Sequence, residues 1–263
     1  MTEPIGPPRG VLRATDAAGA FEHDRRAPVA DLAGFIEHFW RVAWSVPGAP
    51  VVREVLSHPS VHITIERGRS AVTGVPRGRF TRRLEGTGVV FGIKFVPGGF
   101  RPLVPFPIAQ LTDRAIPLDQ IFGSRGPALE AAVLSQATMA GQIMIATAHL
   151  RELVPERDAT VEQVAALVKL VLDDREIRKV DDLAQRSGLG SRALQRLFSD
   201  YVGVSPKWVI RRYRLHEAME RMDAGTAIDW AALALELGYF DQAHFIRDFK
   251  SLVGRTPGDY HRA

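Results

Sequence analysis

Apolar residues recur along this chain in two rhythms, and the change between them falls near its middle. In Val61-His62-Ile63-Thr64-Ile65-Glu66 the apolar positions alternate strictly, which half-buries one face of a strand. Val51–Leu56 is rich in β-branched residues and Val89–Val96 predicts a third strand, with turns at Arg67-Gly68 and Pro76–Arg79. Leu32, Phe35, Ile36, Phe39 and Trp40 instead sit at helical spacing, so a helix is predicted from Ala30 to Trp44. Helical rhythm returns after Pro97-Gly98-Gly99, over Pro127–Leu134 and Met139–Leu153. The front half reads as β-rich with flanking helices.

Past the polar stretch Pro155-Glu156-Arg157-Asp158 every pattern is helical. Val161, Val164, Leu167, Val168 and Leu172 form one stripe, and short helices follow over Asp181–Ser187, Ser191–Val202, Pro206–Met222, Asp229–Leu237 and Asp241–Val253. The predicted organisation is α+β in two domains. A loose Pro/Gly/Ala/Arg tail covers 1–27, a β-rich domain 28–155 and an all-α domain 156–263.

The second domain contains a repeat. Leu183-Ala184-Gln185-Arg186-Ser187-Gly188-Leu189 matches Leu233-Ala234-Leu235-Glu236-Leu237-Gly238-Tyr239. Downstream, Leu194-x-Arg196-x-Phe198 matches Phe245-x-Arg247-x-Phe249, and Gly203-x-Ser205-Pro206 matches Gly254-x-Thr256-Pro257. Each copy predicts a helix, a glycine turn of positive φ, a second helix and a stop, the pattern of a helix-turn-helix unit. Asp241 is a good N-cap for the second copy; the first has Gly190 in that place, a weaker one. With Phe198 and Phe249 facing inward, Arg192, Gln195 and Arg196 lie on the outer side of one helix, and Gln242, His244 and Arg247 on that of the other. Arginine forks onto guanine and glutamine onto adenine in the major groove, so these six are the candidate base readers. Pro206–Met222 becomes the spacer between them, with Trp208, Ile210, Tyr213, Leu215 and Met219 as its packing residues.

Composition narrows the chemistry. With 46% hydrophobic and 24% charged residues the chain is an ordinary globular one, and without cysteine it has no disulfide, thiolate metal site or cysteine nucleophile. No signal-like N-terminus or membrane-length apolar run is present, so a soluble, cytoplasmic protein with no membrane partner is expected. The net charge of +4 says little, but residues 190–215 hold six basic side chains against Asp200 alone. Such a stripe suits a polyanion. Ser191, Lys207, Arg211, Arg212 and Lys250 are expected to hold phosphates, with Arg214 beside them.

The tract Gly238-Tyr239-Phe240-Asp241-Gln242-Ala243-His244-Phe245-Ile246-Arg247-Asp248-Phe249-Lys250, followed by Gly254-x-Thr256-Pro257-x-x-Tyr260-His261-Arg262, closely resembles the signature of the AraC type of bacterial transcription regulators. The resemblance spans about 100 residues. It implies two helix-turn-helix subdomains joined by a linker helix, both entering the major groove of promoter DNA, with contact to RNA polymerase. Tyr239 stands where the family usually has Phe, and Gly190 where it usually has Ser. The front half is similar, through Phe39-Trp40, Val89–Val96, Pro97-Gly98-Gly99-Phe100-Arg101-Pro102, Leu111-Thr112-Asp113 and Ile116-Pro117-Leu118, to the small sensor domain ahead of some members. That similarity implies a cupin-like domain that binds a small effector or pairs two copies.

Other candidates carry less. His58 and His62 lie where cupin metals bind, yet the close His-x-His pair with a following Glu is absent, so outward-facing strand residues and no metal are expected. Pro97-Gly98-Gly99 lacks the Gly-Lys-Ser/Thr ending of a phosphate loop and reads as a turn. Trp40 and Trp44, at helical spacing, read as core or pocket wall. Nothing arranges Ser, His and Asp as a nucleophile elbow, so no enzyme and no cofactor are expected. The alternative is a DNA-modifying or repair enzyme with this helical domain as its tail. It requires a reactive cysteine, which is absent, or an acidic excision pocket, which a front half of 155 β-rich residues fits poorly.

Overall fold

The computed structural model describes residues 3–5, 12, 20–223 and 228–262. Six strands form one antiparallel sheet: β1 (Ala20–Arg26), β2 (Ile36–Val55), β3 (His62–Ile65), β4 (Ala71–Thr73), β5 (Phe80–Phe95) and β6 (Ala115–Pro117), in the order β1-β2-β5-β3-β4-β6. One face carries Phe39, Ile63, Ile65, Phe91, Ile93 and Phe95. It packs on α1 (Leu118–Phe122), α2 (Arg125–Leu134) and α3 (Met139–Arg151) through Leu118, Leu129, Val133, Ile143, Ala146 and Leu150.

The helix expected over Ala30–Trp44 is not there. Ala30–Leu32 makes a single 3-10 turn, and from Ile36 the chain runs as β2. A spacing of four belongs to both periods: it joins neighbours on a helix and returns to the same face of a strand. Trp40 and Trp44 share such a face and lie over Gly92 and Gly88 of β5, which pair with them directly. A Cβ at Gly92 would come within 2.0 Å of the Trp40 ring, and one at Gly88 within 2.1 Å of Trp44. Glycines four apart on one strand make room for tryptophans four apart on the next.

The tail also differs from expectation where it is described. Residues 20–26 are β1, held against β2 with Phe21 opposite Trp44. Ile5 N donates to Arg25 O (3.1 Å) and Ala27 N to Glu3 O (2.9 Å). Leu12 is only 2% exposed and packs with Leu56 into the core of the last helices. The rest of the tail lies outside the described residues.

The C-terminal half is helical throughout: α4 (Ala159–Asp173), α5 (Val180–Ser187), α6 (Ser191–Tyr201), α7 (Pro206–Asp223), α8 (Trp230–Glu236), α9 (Gln242–Val253) and α10 (Pro257–Arg262). Asp158 caps α4 by accepting from Thr160 N (2.9 Å) and Val161 N (3.0 Å). Gly254-x-Thr256-Pro257 is more than a stop, because it also starts α10. Gly203 and Gly254 turn the chain at φ +90° and +88°. Ser205 Oγ and Thr256 Oγ1 then accept from Trp208 N and Asp259 N, both at 3.2 Å. Each Gly-x-Ser/Thr-Pro therefore ends one helix and caps the next.

Helix α7 is buried from Arg212 to Met219, with Val209, Ile210 and Tyr213 in the core of α4–α6, and Leu215, Met219 and Met222 in that of α8–α10. The front half contributes to both cores: Val75 to the first, Leu12 and Leu56 to the second. Polar ties reinforce this. Thr112 Oγ1 donates to Gly203 O (2.6 Å), Arg101 Nε to Asp200 (2.9 Å) and Arg79 Nη1 to Val253 O (3.0 Å).

His58 and His62 lie in the same junction, half-buried rather than outward on the strand. The His58 ring stacks on His216 of α7, centroids 4.4 Å apart, and leans on Tyr213 at 5.8 Å. His62 Nδ1 accepts from Trp40 Nε1 (3.3 Å). Among the described residues no group of three or more histidines and carboxylates could hold a metal ion. Burial, then the electrostatic effect of the His216 ring, pushes His58 down to about 2; burial and Lys94 push His62 down to about 3. Lys94 and Glu37, which face both rings, pair at 2.8 Å. Burial raises the Glu37 carboxyl, but hydrogen bonding to His38 and the charge of Lys94 outweigh it and keep Glu37 ionised in acid.

Both rings are thus neutral when folded, whereas the unfolded chain binds a proton near pH 6.5 at each. This stability is complete above pH 6.5 and is lost as pH falls toward the folded values. Each histidine is expected to cost about 1 kcal/mol between pH 6.5 and 5.5. Urea titrations at the two pH values measure the loss, and His58→Phe or His62→Gln should each remove its own share.

Candidate nucleic-acid interface

Two helix pairs with the same local construction flank α7. Helices α5 and α8 end on Gly188 and Gly238, at φ +70° and +82°, and those left-handed residues redirect the chain into α6 and α9. Leu194 and Phe198 of α6 and Phe245 and Phe249 of α9 are fully buried. Their opposite sides follow from the 3.6-residue period. Arg192, Gln195 and Arg196 are exposed on α6, and Gln242, His244, Arg247 and Lys250 on α9.

The two helices start differently. Asp241 Oδ1 accepts from His244 N at 2.6 Å, and the His244 ring meets the edge of Tyr239 with centroids 5.2 Å apart. Gly190 gives α6 no side-chain cap, and Ser191 Oγ reaches only toward Asp181 at 3.5 Å. The second outer face is the better fixed.

The expected phosphate contacts divide. Lys207, at the start of α7, is exposed, as is Lys250, while Ser191 is half-buried. Arg212 is not a surface cation: it is 1% exposed, donates through Nη2 to Arg77 O (2.7 Å) and Gly78 O (3.1 Å), and lies over the Trp208 ring. Arg214 is buried too, on Glu217 (2.6 Å) and Val171 O (2.7 Å). A basic run on an amphipathic helix usually faces water, and the sequence alone puts both outward. Here Lys207 and Arg211 take the water-facing side of α7, while Arg212 and Arg214 turn inward, where carbonyls, a carboxylate and an indole face take the charge. Arg211 is half-exposed, but its guanidinium is engaged by Asp248 of α9.

Two features went unseen in the sequence. Asp248, buried within α9, accepts from both Arg211 and the Tyr239 hydroxyl (2.7 Å), tying α7, α9 and the turn together. Tyr239 in place of phenylalanine, nine residues before an aspartate, is the trace it leaves in the sequence. Burial and the adjacent Asp248 charge hold the phenol well above its ordinary range, so it stays a donor. The other feature is Phe240, 87% exposed one residue before the Asp241 cap.

Known families match this chain over two separate segments. Residues 183–263 match the model of a helix-turn-helix domain family, and residues 24–117 match that of a domain family of unknown function, DUF6597. The chain is 37% identical over 86 residues to the Escherichia coli protein named "Putative HTH-type transcriptional regulator YkgA", covering 32% of this chain and 35% of that one. It is 30% identical over 100 residues to "Probable transcription factor PqrA" of Proteus vulgaris, covering 38% of this chain and 81% of that one. The chain therefore spans about a third of the first relative's length and four-fifths of the second's. A solved structure from Rhodopseudomonas palustris, of a "probable AraC family transcriptional regulator", is 25% identical with a TM-score of 0.34, over 38% of this chain and 95% of that one.

Proposed function

Because the chain belongs to the AraC-type family of helix-turn-helix transcription regulators, we propose that it binds promoter DNA by sequence, with α6 and α9 entering two adjacent stretches of major groove. One observation carries this reading. Two exposed helix faces, each backed by a buried Leu/Phe or Phe/Phe pair and each bearing an arginine at the matching place, stand on either side of a single rigid helix. The 18 residues of α7 span about 27 Å at 1.5 Å each, somewhat less than the roughly 34 Å of one DNA turn, and so set the two readers on successive stretches of groove. Arg192, Gln195 and Arg196, and Gln242, His244 and Arg247, are the base readers. Ser191, Lys207 and Lys250 hold phosphates. The reading also assigns the front half to a small effector or to pairing of two copies, gives the complex a contact with RNA polymerase, and places it in the cytoplasm without catalysis of its own.

Selection of binding sites from random duplex DNA tests the central claim. Two short enriched blocks about ten base pairs apart are expected. A single block would leave one unit without a role, and no enrichment would remove the reading. The phosphate roles have a separate signature. Lys207→Ala and Lys250→Ala should weaken selected and random DNA by the same factor, each lowering the slope of log K against log salt by about one. A loss confined to the selected site would make either lysine a base reader instead.

A further inference from the structure

We infer that Phe240 is an apolar reading residue, which contacts the C5-methyl of one thymine at the edge of the site read by α9. The inference rests on the DNA-binding reading above and adds to it a residue and a base identity.

A single exposed phenylalanine is ordinary on a protein surface; the position of this one is not. Asp241 is the N-cap of α9, so Phe240 precedes the cap and Phe245 is the fourth residue of the helix. An apolar residue before a cap usually packs on that fourth residue and fixes the entry of the chain. Here that contact is not made. Phe245 is fully buried and takes Tyr239 at 5.3 Å and Phe249 at 5.8 Å, while Phe240 remains 87% exposed. Tyr239 is drawn inward by its hydrogen bond to Asp248, and so the next side chain is sent outward. The usual structural reason for an apolar residue at this place is already met by its neighbour.

What lies beside Phe240 is the outer face of α9. Gln242, Ala243 and His244 follow after the Asp241 cap and all three are exposed. Ala243 is small and leaves the ring open on that side. The N-terminal end of a reading helix is the part that reaches base edges. In the major groove only thymine offers an apolar group, its methyl, and phenylalanine is among the side chains that meet it. Gln242 and Arg247 offer hydrogen bonds to purines, so an aromatic ring among them fits a pyrimidine neighbour.

The experiment uses the full chain and its selected site. Each thymine in the α9 block is replaced in turn by deoxyuridine, which lacks only the methyl. Burial of one methyl corresponds to about a fourfold change in affinity. Wild-type protein should lose about this factor at one thymine. Phe240→Ala should bind the unmodified site about fourfold more weakly and be indifferent to that uridine, while Phe240→Leu should keep part of the discrimination. Equal responses of wild type and Phe240→Ala at every position would overturn the inference, as would a selected block with no thymine. Unchanged DNA binding by Phe240→Ala with lost promoter activation would overturn it too, and assign the ring to a protein partner. Failure of wild-type protein to select any sequence is a different result, since it removes the DNA-binding reading itself.

Discussion

Arg212→Ala is expected to destabilise the chain by about 2–4 kcal/mol without changing the salt dependence of DNA binding. The guanidinium holds the Arg77-Gly78 turn of the front half against α7 by two hydrogen bonds, and stacks on Trp208 with its carbon 4.4 Å from the ring centre. Trp208 Nε1 itself donates to Arg77 O (3.2 Å), so one turn is clipped twice. Truncation removes about 2 kcal/mol of cation–π contact and takes the Arg212 donor from Gly78 O, while Arg77 O keeps Trp208. Burial lowers the guanidinium only to about 10, so the residue is charged at neutral pH and keeps its cation–π contact. Arg212→Met, which keeps the volume, should recover part of the loss. Urea unfolding of the full chain reads the stability, and binding at several salt concentrations reads the slope. Wild-type stability together with a slope lowered by about one would return Arg212 to the DNA surface.

Arg247→Ala is expected to cost about 1–3 kcal/mol on the selected site and to relax the preference at one base pair, with little effect on random DNA. Arg196→Ala should do the same in the other block. Both side chains project from helices whose inner faces are fixed by fully buried phenylalanines, so truncation should leave the fold intact. The Arg196 effect should be the smaller, because α6 begins on Gly190 without a side-chain cap whereas Asp241 holds the start of α9. The two losses should add in the double variant, since the readers share no contact partner. Competition binding against each single-base variant of the site measures all of this. Equal losses on selected and random DNA would reduce both arginines to phosphate contacts.

The helical half was readable because its signals are local. A repeat with matching glycines, arginines and prolines specifies turns, inner faces and outer faces without reference to the rest of the chain, and Gly188, Gly238, Asp241, Phe198 and Phe249 sit as the spacing required. The errors came from contacts distant in sequence. Trp40 and Trp44 needed Gly92 and Gly88 to be recognised as strand residues, and their spacing of four does not separate the two periods. Arg212 and His58 needed knowledge that the front half covers α7, and Arg214 that the end of α4 packs on it, which no pattern on α7 records. Residues 20–26 were lost to composition: a charged edge strand looks like a tail until its partner is known.

The front half grips the helical half at three places, at Gly203 beside α6, at the middle of α7 and at Val253 where α9 ends. The two reading helices are therefore held to one another through a third body as well as through α7. Under the proposed reading, a rearrangement of α6 and α9 on DNA that strained one of these grips would be felt in the front half, and a molecule that reshaped the front half would be felt at α6 and α9. Thermodynamic reciprocity fixes the size of the exchange: a compound on the front half that tightens DNA binding tenfold must itself bind about tenfold more tightly when DNA is present.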